Sequence, residues 1–148
     1  MTKPRIYSSS QILQAYLDDG FPAGEIRIKD NWLVLPTQVS FMRVGSPIED
    51  IAFSLGINFE EESFDCDNWA QLAVAIANLA HRKSREGTQA LCAFIADGIY
   101  TGVGGHVIVT AIHPPENGGP LKPVYYEPQP PNSMRICEPF DTPLGLSS

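Results

Sequence analysis

Three short phrases carry the residue types from which a covalent active site could be assembled: Phe64-Asp65-Cys66-Asp67-Asn68-Trp69-Ala70, Gly104-Gly105-His106-Val107-Ile108-Val109 and Tyr125-Tyr126-Glu127-Pro128-Gln129. In chain order they offer a thiol, an imidazole and a carboxylate. A thiol becomes a strong nucleophile when a neighbouring base takes its proton, and an imidazole serves best as that base when an acid fixes its tautomer and orientation. The chain has three cysteines and three histidines, so few other pairings of nucleophile and base are open.

Each member sits where its role would be served. Cys66 falls where an acidic loop gives way to a long apolar stretch of helical composition; free backbone N–H groups and the positive end of the helix dipole favour a thiolate there. Asp65 and Asp67 oppose this by adding negative charge, so they need another task, either capping the helix or binding a cation. The plainer reading makes Asp65 an N-cap and Cys66 a small buried residue. His106 opens a β-branched run directly after two glycines, which puts an imidazole at the mouth of a strand beside a loop able to pass close to a substrate. Its plainer reading is a histidine that edges a strand and bonds locally. His81, at the solvated end of a helix, and His113, before Pro114-Pro115, are weaker candidates. Glu127 closes an aromatic strand before Pro128, and an acid at the edge of a core needs a partner. Gln129 could donate to a developing oxyanion or lend its carbonyl to a metal; otherwise it is a turn residue.

These side chains need elements to hold them. Residues 10–17 carry apolar positions at helical spacing after a run of serines, and Gly20-Phe21-Pro22 stops them. Residues 25–29 and 32–35 flank Asp30-Asn31 and predict a small hairpin. Residues 46–56 predict a helix capped by Ser46, with Pro47 at its first position and Gly56 as its stop. The main helix, about 66–82, is apolar on most faces and must be largely buried. It follows the acidic run 60–62 and ends at the basic residues and glycine of 83–87. Strand-like runs at 90–96, 106–112 and 124–127, joined by a glycine-rich segment and a proline-flanked one, predict an antiparallel meander. The expected organisation is a single α+β domain over 1–135 and an extended or disordered tail over 136–148.

Composition narrows the function. With 148 residues and 43% hydrophobic content the chain can bury a proper core. Ten basic residues against 17 acidic ones give a net charge of -7, with the basic residues scattered, which argues against nucleic acid as a partner. Apolar runs fall far short of the roughly 20 residues of a membrane span, and polar serines follow the N-terminus, so no membrane role and a cytoplasmic location are expected. Cys66, Cys92 and Cys137 are odd in number and widely spaced, unlike a disulfide framework or a zinc site. The sequence fixes no oligomeric state.

Asp65-Cys66-Asp67, Gly104-Gly105-His106 and Glu127-Pro128-Gln129, at these separations, resemble the papain-like cysteine protease domain at the C-terminus of a mushroom agglutinin and its small stand-alone bacterial and phage relatives. The resemblance runs from about Trp32 to Gln129. It implies a papain-like α+β fold in which a central helix carrying Cys66 packs on a small antiparallel sheet carrying His106 and Glu127. It implies Cys66 as nucleophile, His106 as base and Glu127 as orienting acid, with Gln129 and Trp69 supporting the oxyanion and its surroundings. A cysteine hydrolase acting on a peptide or amide through an acyl-enzyme follows. No cofactor is required for that chemistry, but calcium activation is implied, with Asp67, Gln129 and Asp65 as ligands. Asn68 stands where the family commonly has a second acid, which lowers the charge of such a site. Two other readings stand beside this one: a non-catalytic binding module, phage-encoded for instance, that keeps the fold and binds a host or small-molecule partner; and a structural calcium-binding domain.

Overall fold

The helices form where local signals are strongest. In the computed structural model, which describes residues 5–56, 65–84, 89–131 and 133–148, α1 spans Ser9–Asp18. Ser8 and Gln11 cap it reciprocally: the Gln11 N–H donates to the Ser8 hydroxyl at 3.3 Å and the Ser8 N–H donates to Gln11 Oε1 at 3.0 Å. α2 (Gln38–Met42) is capped by Thr37, whose hydroxyl accepts the Ser40 N–H at 3.2 Å; the sequence reading had no helix here. α3 (Gly45–Leu55) starts one residue ahead of the expected Ser46 cap, so Pro47 falls in its first turn, where a missing N–H costs nothing. It stops as expected at Gly56, whose φ of 66° is left-handed. α4 runs Cys66–Ser84. The acidic run 60–62 before it and the glycine expected to end it, at 87, lie outside the described residues.

Nine strands, in chain order, form two sheets among the described residues. β1 (Ile6–Ser8), β3 (Trp32–Val34) and β4 (Ala90–Leu91) make a three-stranded sheet in the order β1-β3-β4. β2 (Ile26–Arg27), β5 (Ala93–Tyr100), β6 (Gly104–Ile112), β7 (Pro123–Glu127), β8 (Arg135–Cys137) and β9 (Thr142–Ser147) make a six-stranded one in the order β2-β9-β5-β6-β7-β8. β5 to β8 zigzag antiparallel, and β9 returns to lie antiparallel beside β5 and parallel beside β2.

This architecture departs from the expected one at three places. The hairpin expected at 25–35 does not form: β2 pairs with β9 and β3 pairs with β1, in different sheets. The apolar run 90–96 is split at Cys92, whose N–H donates to the Val34 carbonyl at 2.8 Å, so β4 serves one sheet and β5 the other. Residues 136–148, expected as an extended or disordered tail, supply the end of β8 and all of β9.

Strand alternation divides the core into two layers on the six-stranded sheet. From β6, Ile108 and Ile112 face one layer with Ile12, Tyr16 and Phe21 from α1 and its exit. Val109 and Ala111 face the other with Ile48 and Ala52 of α3 and Trp69, Ala70, Ala73 and Ala77 of α4. The fully buried Thr110 lies on the α1 side, donating to the Val124 carbonyl at 2.8 Å and bonded to the Tyr16 hydroxyl at 3.0 Å, so its hydroxyl is satisfied. The alanines of α4 let its backbone approach the sheet closely. Among the described residues no helix is long and apolar enough to cross a membrane.

Candidate functional site

Two of the predicted site residues meet at the open end of the sheet. His106 lies near the start of β6 and Glu127 closes β7, and their side chains bond at 2.8 Å between Nε2 and Oε2. A carboxylate only accepts, so Nε2 carries a proton and donates it in this bond. The second Glu127 oxygen accepts the Gln129 backbone N–H at 3.3 Å. Gln129 therefore contributes through its main chain, by fixing the carboxylate. The side chains of His106 and Glu127 are 23% and 28% exposed, open enough to meet a ligand and sheltered enough to keep one geometry.

Alternation along the strands decides which side this pair occupies. His106 is two residues before Ile108 and Glu127 two after Tyr125, and both of those residues belong to the α1-side layer. Tyr100, whose ring centroid is 6.3 Å from that of His106, is on the same side. Its hydroxyl donates to the Glu138 carbonyl at 2.6 Å and lies 3.9 Å from the Cys137 sulfur. Burial first, with the Glu127 charge adding, pushes the Cys137 thiol up to about 11. Tyr100 is raised as well, by burial and then by Cys137. The sequence reading missed both neighbours. Tyr100 could have been found as the aromatic closing a strand before a glycine turn; Cys137 could not, because its face is set by pairing with Tyr125.

Cys66 opens α4, whose buried residues pack in the other layer, and among the described residues no hydrogen bond joins its sulfur to His106. Its neighbours start the helix: the Asp65 carbonyl accepts the Trp69 N–H at 3.1 Å and the Asp65 N–H donates to Asn68 Oδ1 at 3.2 Å. Asn68, the departure from the expected acid, is occupied in that turn. A side-chain hydrogen bond with Asp67 raises the Asp65 carboxyl above its ordinary range. Trp69 is fully buried in the α4 layer. Among the described residues no cluster of three or more His, Cys, Asp or Glu side chains could hold a metal.

Histidines outside the pair have structural work. His113 Nδ1 donates to the Pro36 carbonyl at 2.7 Å, and its Nε2 accepts from the Tyr126 hydroxyl at 2.5 Å. Burial lowers the pKa of its ring. His81 donates to the Gln89 carbonyl at 2.9 Å.

No protein-family model and no curated protein matches this chain. Solved structures do share its two-sheet fold. One is the PSL1a-E64 complex, at 13% identity and TM-score 0.76, covering 97% of this chain and 51% of that one. Another is Polyporus squamosus lectin bound to the human-type influenza-binding epitope Neu5Aca2-6Galb1-4GlcNAc, at 14% identity and TM-score 0.68, covering 90% and 45%. The chain thus spans about half the length of each.

These matches correct the family expectation. The structures that share the fold are of a lectin, where the motifs had suggested a papain-like cysteine protease domain of the mushroom-agglutinin type. The papain-like α+β class is replaced by a two-sheet architecture with nine strands against four α-helices among the described residues. The peptide or amide substrate is corrected with it, since those proteins are bound to a glycan epitope and to E64. The physical reason is that Cys, His and Glu in chain order do not by themselves fix a fold.

Proposed function

We propose that this chain is a binding module whose ligand-facing edge is the end of the six-stranded sheet around His106 and Glu127. The observation that carries the reading is the 2.8 Å pair itself, part exposed, with Tyr100 beside it. An aromatic next to a fixed imidazole and carboxylate suits a hydroxyl-rich ligand, whose O–H groups bond to both and whose C–H face packs on the ring. The lectin whose fold it shares supports a glycan as that ligand. Glu127 at the edge and a net charge of -7 favour a neutral glycan over a sialylated one. Calorimetric titration with Galb1-4GlcNAc, with and without its terminal Neu5Ac, tests this. Saturable binding of the neutral sugar, weakened about tenfold or more in His106→Ala and Glu127→Gln, is expected. Absence of saturable binding to either sugar overturns it.

A second reading is favoured by a specific observation: the structure covering 97% of this chain holds E64, an epoxide that alkylates nucleophilic thiols. In it Cys66 is the nucleophile, His106 its base and Glu127 the acid that orients the ring. Calcium would belong to this reading, with Asp65 and Asp67 as carboxylates and Gln129 as a carbonyl donor. Peptide mass spectrometry after exposure to E64 decides it. Modification of Cys66 that vanishes in His106→Ala supports thiol chemistry, and an unmodified Cys66 with and without calcium removes it.

A further inference from the structure

The C-terminal half of α4 borders a cavity that the His106 edge does not use. Val34, Phe41, Val44, Ala77 and Leu91 wall a space of about 90 Å³ between α2, α4 and the three-stranded sheet. At 1.5 Å rise per residue, Ala77 is roughly 16 Å along the helix from Cys66, so the two places are independent.

The rim carries polar residues whose described hydrogen bonds run to neighbours in the chain. The Ser40 hydroxyl donates to the Thr37 carbonyl at 3.0 Å and accepts from the Thr37 hydroxyl at 2.8 Å. The Ser84 hydroxyl donates to the His81 carbonyl at 2.7 Å, and His81 Nε2 donates to the Gln89 carbonyl. Water needs two to four polar partners to be held, and the walls formed by Val34, Phe41, Val44, Ala77 and Leu91 offer it apolar side chains. An apolar group faces no such demand and gains by leaving water. The mouth lies at exposed residues, Ser40, Ala80 and Ser84, so entry requires no opening of the core.

From this we infer that the cavity is a binding site for a small branched aliphatic ligand of about three to five carbons. The apolar walls give it shape.

The probe is 2-methyl-1-propanol, titrated into the full chain and followed by amide chemical shifts, with glycerol as the polar control. Saturable shifts confined to the wall residues, with a millimolar dissociation constant, are expected. Ala80→Leu fills the cavity from an exposed helical position that tolerates leucine, and should weaken binding at least about tenfold. Ser84→Leu is a second filling variant from the rim, and Ser84→Ala keeps the space and should bind as the wild type does. Non-saturating shifts spread over the surface, equal shifts with glycerol, or undiminished binding in both filled variants overturn the proposal.

Discussion

His113 is the residue whose chemistry is most tightly specified by its neighbours. Its ring spans two acceptor and donor demands, the Pro36 carbonyl and the Tyr126 hydroxyl, and it is neutral in the fold because burial disfavours the charged form. The folded pKa is lowered below the unfolded value of about 6.5, so below that pH the unfolded chain binds a proton that the folded chain resists. Stability contributed here is present above the unfolded value and is lost as pH falls below it, by at most about 1.4 kcal/mol per pH unit for one proton. Denaturant midpoints between pH 7.5 and 5 should therefore fall more steeply in the wild type than in His113→Gln, and parallel curves would remove this account. The thiols give a second test at the same scale. Burial holds Cys92 up to about 12 and Cys137 up to about 11, so at pH 8 both are protonated and slow toward iodoacetamide. Peptide mapping should find Cys66 labelled first. A calcium-dependent rise in melting temperature that Asp67→Asn abolishes would add the cation to that thiol; no rise would leave it out.

At the scale of elements, what was legible depended on whether the signal was local. The apolar composition and start of α4, the serine capping of α1 and the stop of α3 at Gly56 are contained in a few adjacent residues, and the sequence displays them. α2 was hidden because five residues hold too little periodicity, though Thr37 and Ser40 mark its start. The split at Cys92 was hidden because a continuous apolar run does not reveal that its two halves pair with different sheets. The pairing of His106 with Glu127 followed from strand order; the face they share required the register of β6 and β7. Gly98 is an element-scale constraint of the same hidden kind. A Cβ there would stand 2.3 Å from the Phe140 ring, which packs on Tyr100 at 4.8 Å between centroids. Gly98→Ala should cost about 1–3 kcal/mol in urea unfolding and displace Phe140 and Tyr100 from the His106 edge, whereas a cost within error would show that the ring yields freely.

For the whole molecule, the strand nearest the C-terminus decides whether the six-stranded sheet is continuous. β9 reads poorly as a strand, since Thr142-Pro143-Leu144-Gly145-Leu146-Ser147 mixes a proline and a glycine with only two large apolar residues. Its position comes from long-range pairing: Leu146 stands opposite Ala96 of β5 on one side and Ile26 of β2 on the other, and its side chain is buried in the α1 layer. The segment leading into it is clasped to the β5–β6 turn by the Asp141 carboxylate, which accepts the Thr101 N–H at 2.7 Å, and by the Glu138 carbonyl, which accepts the Tyr100 hydroxyl. Removing residues 142–148 would leave β5 as a bare edge, strand off β2 and open the layer that supports His106. Such a deletion should lose the cooperative thermal transition or shift it down by more than about 8 °C, a loss of 2 kcal/mol or more at this size, and should self-associate through the exposed edge. Leu146→Ala isolates the packing share, at about 2–5 kcal/mol. A deleted chain that melts as the wild type does would mean that the sheet ends at β5 in solution and that residues 142–148 are the loose arm their composition suggests.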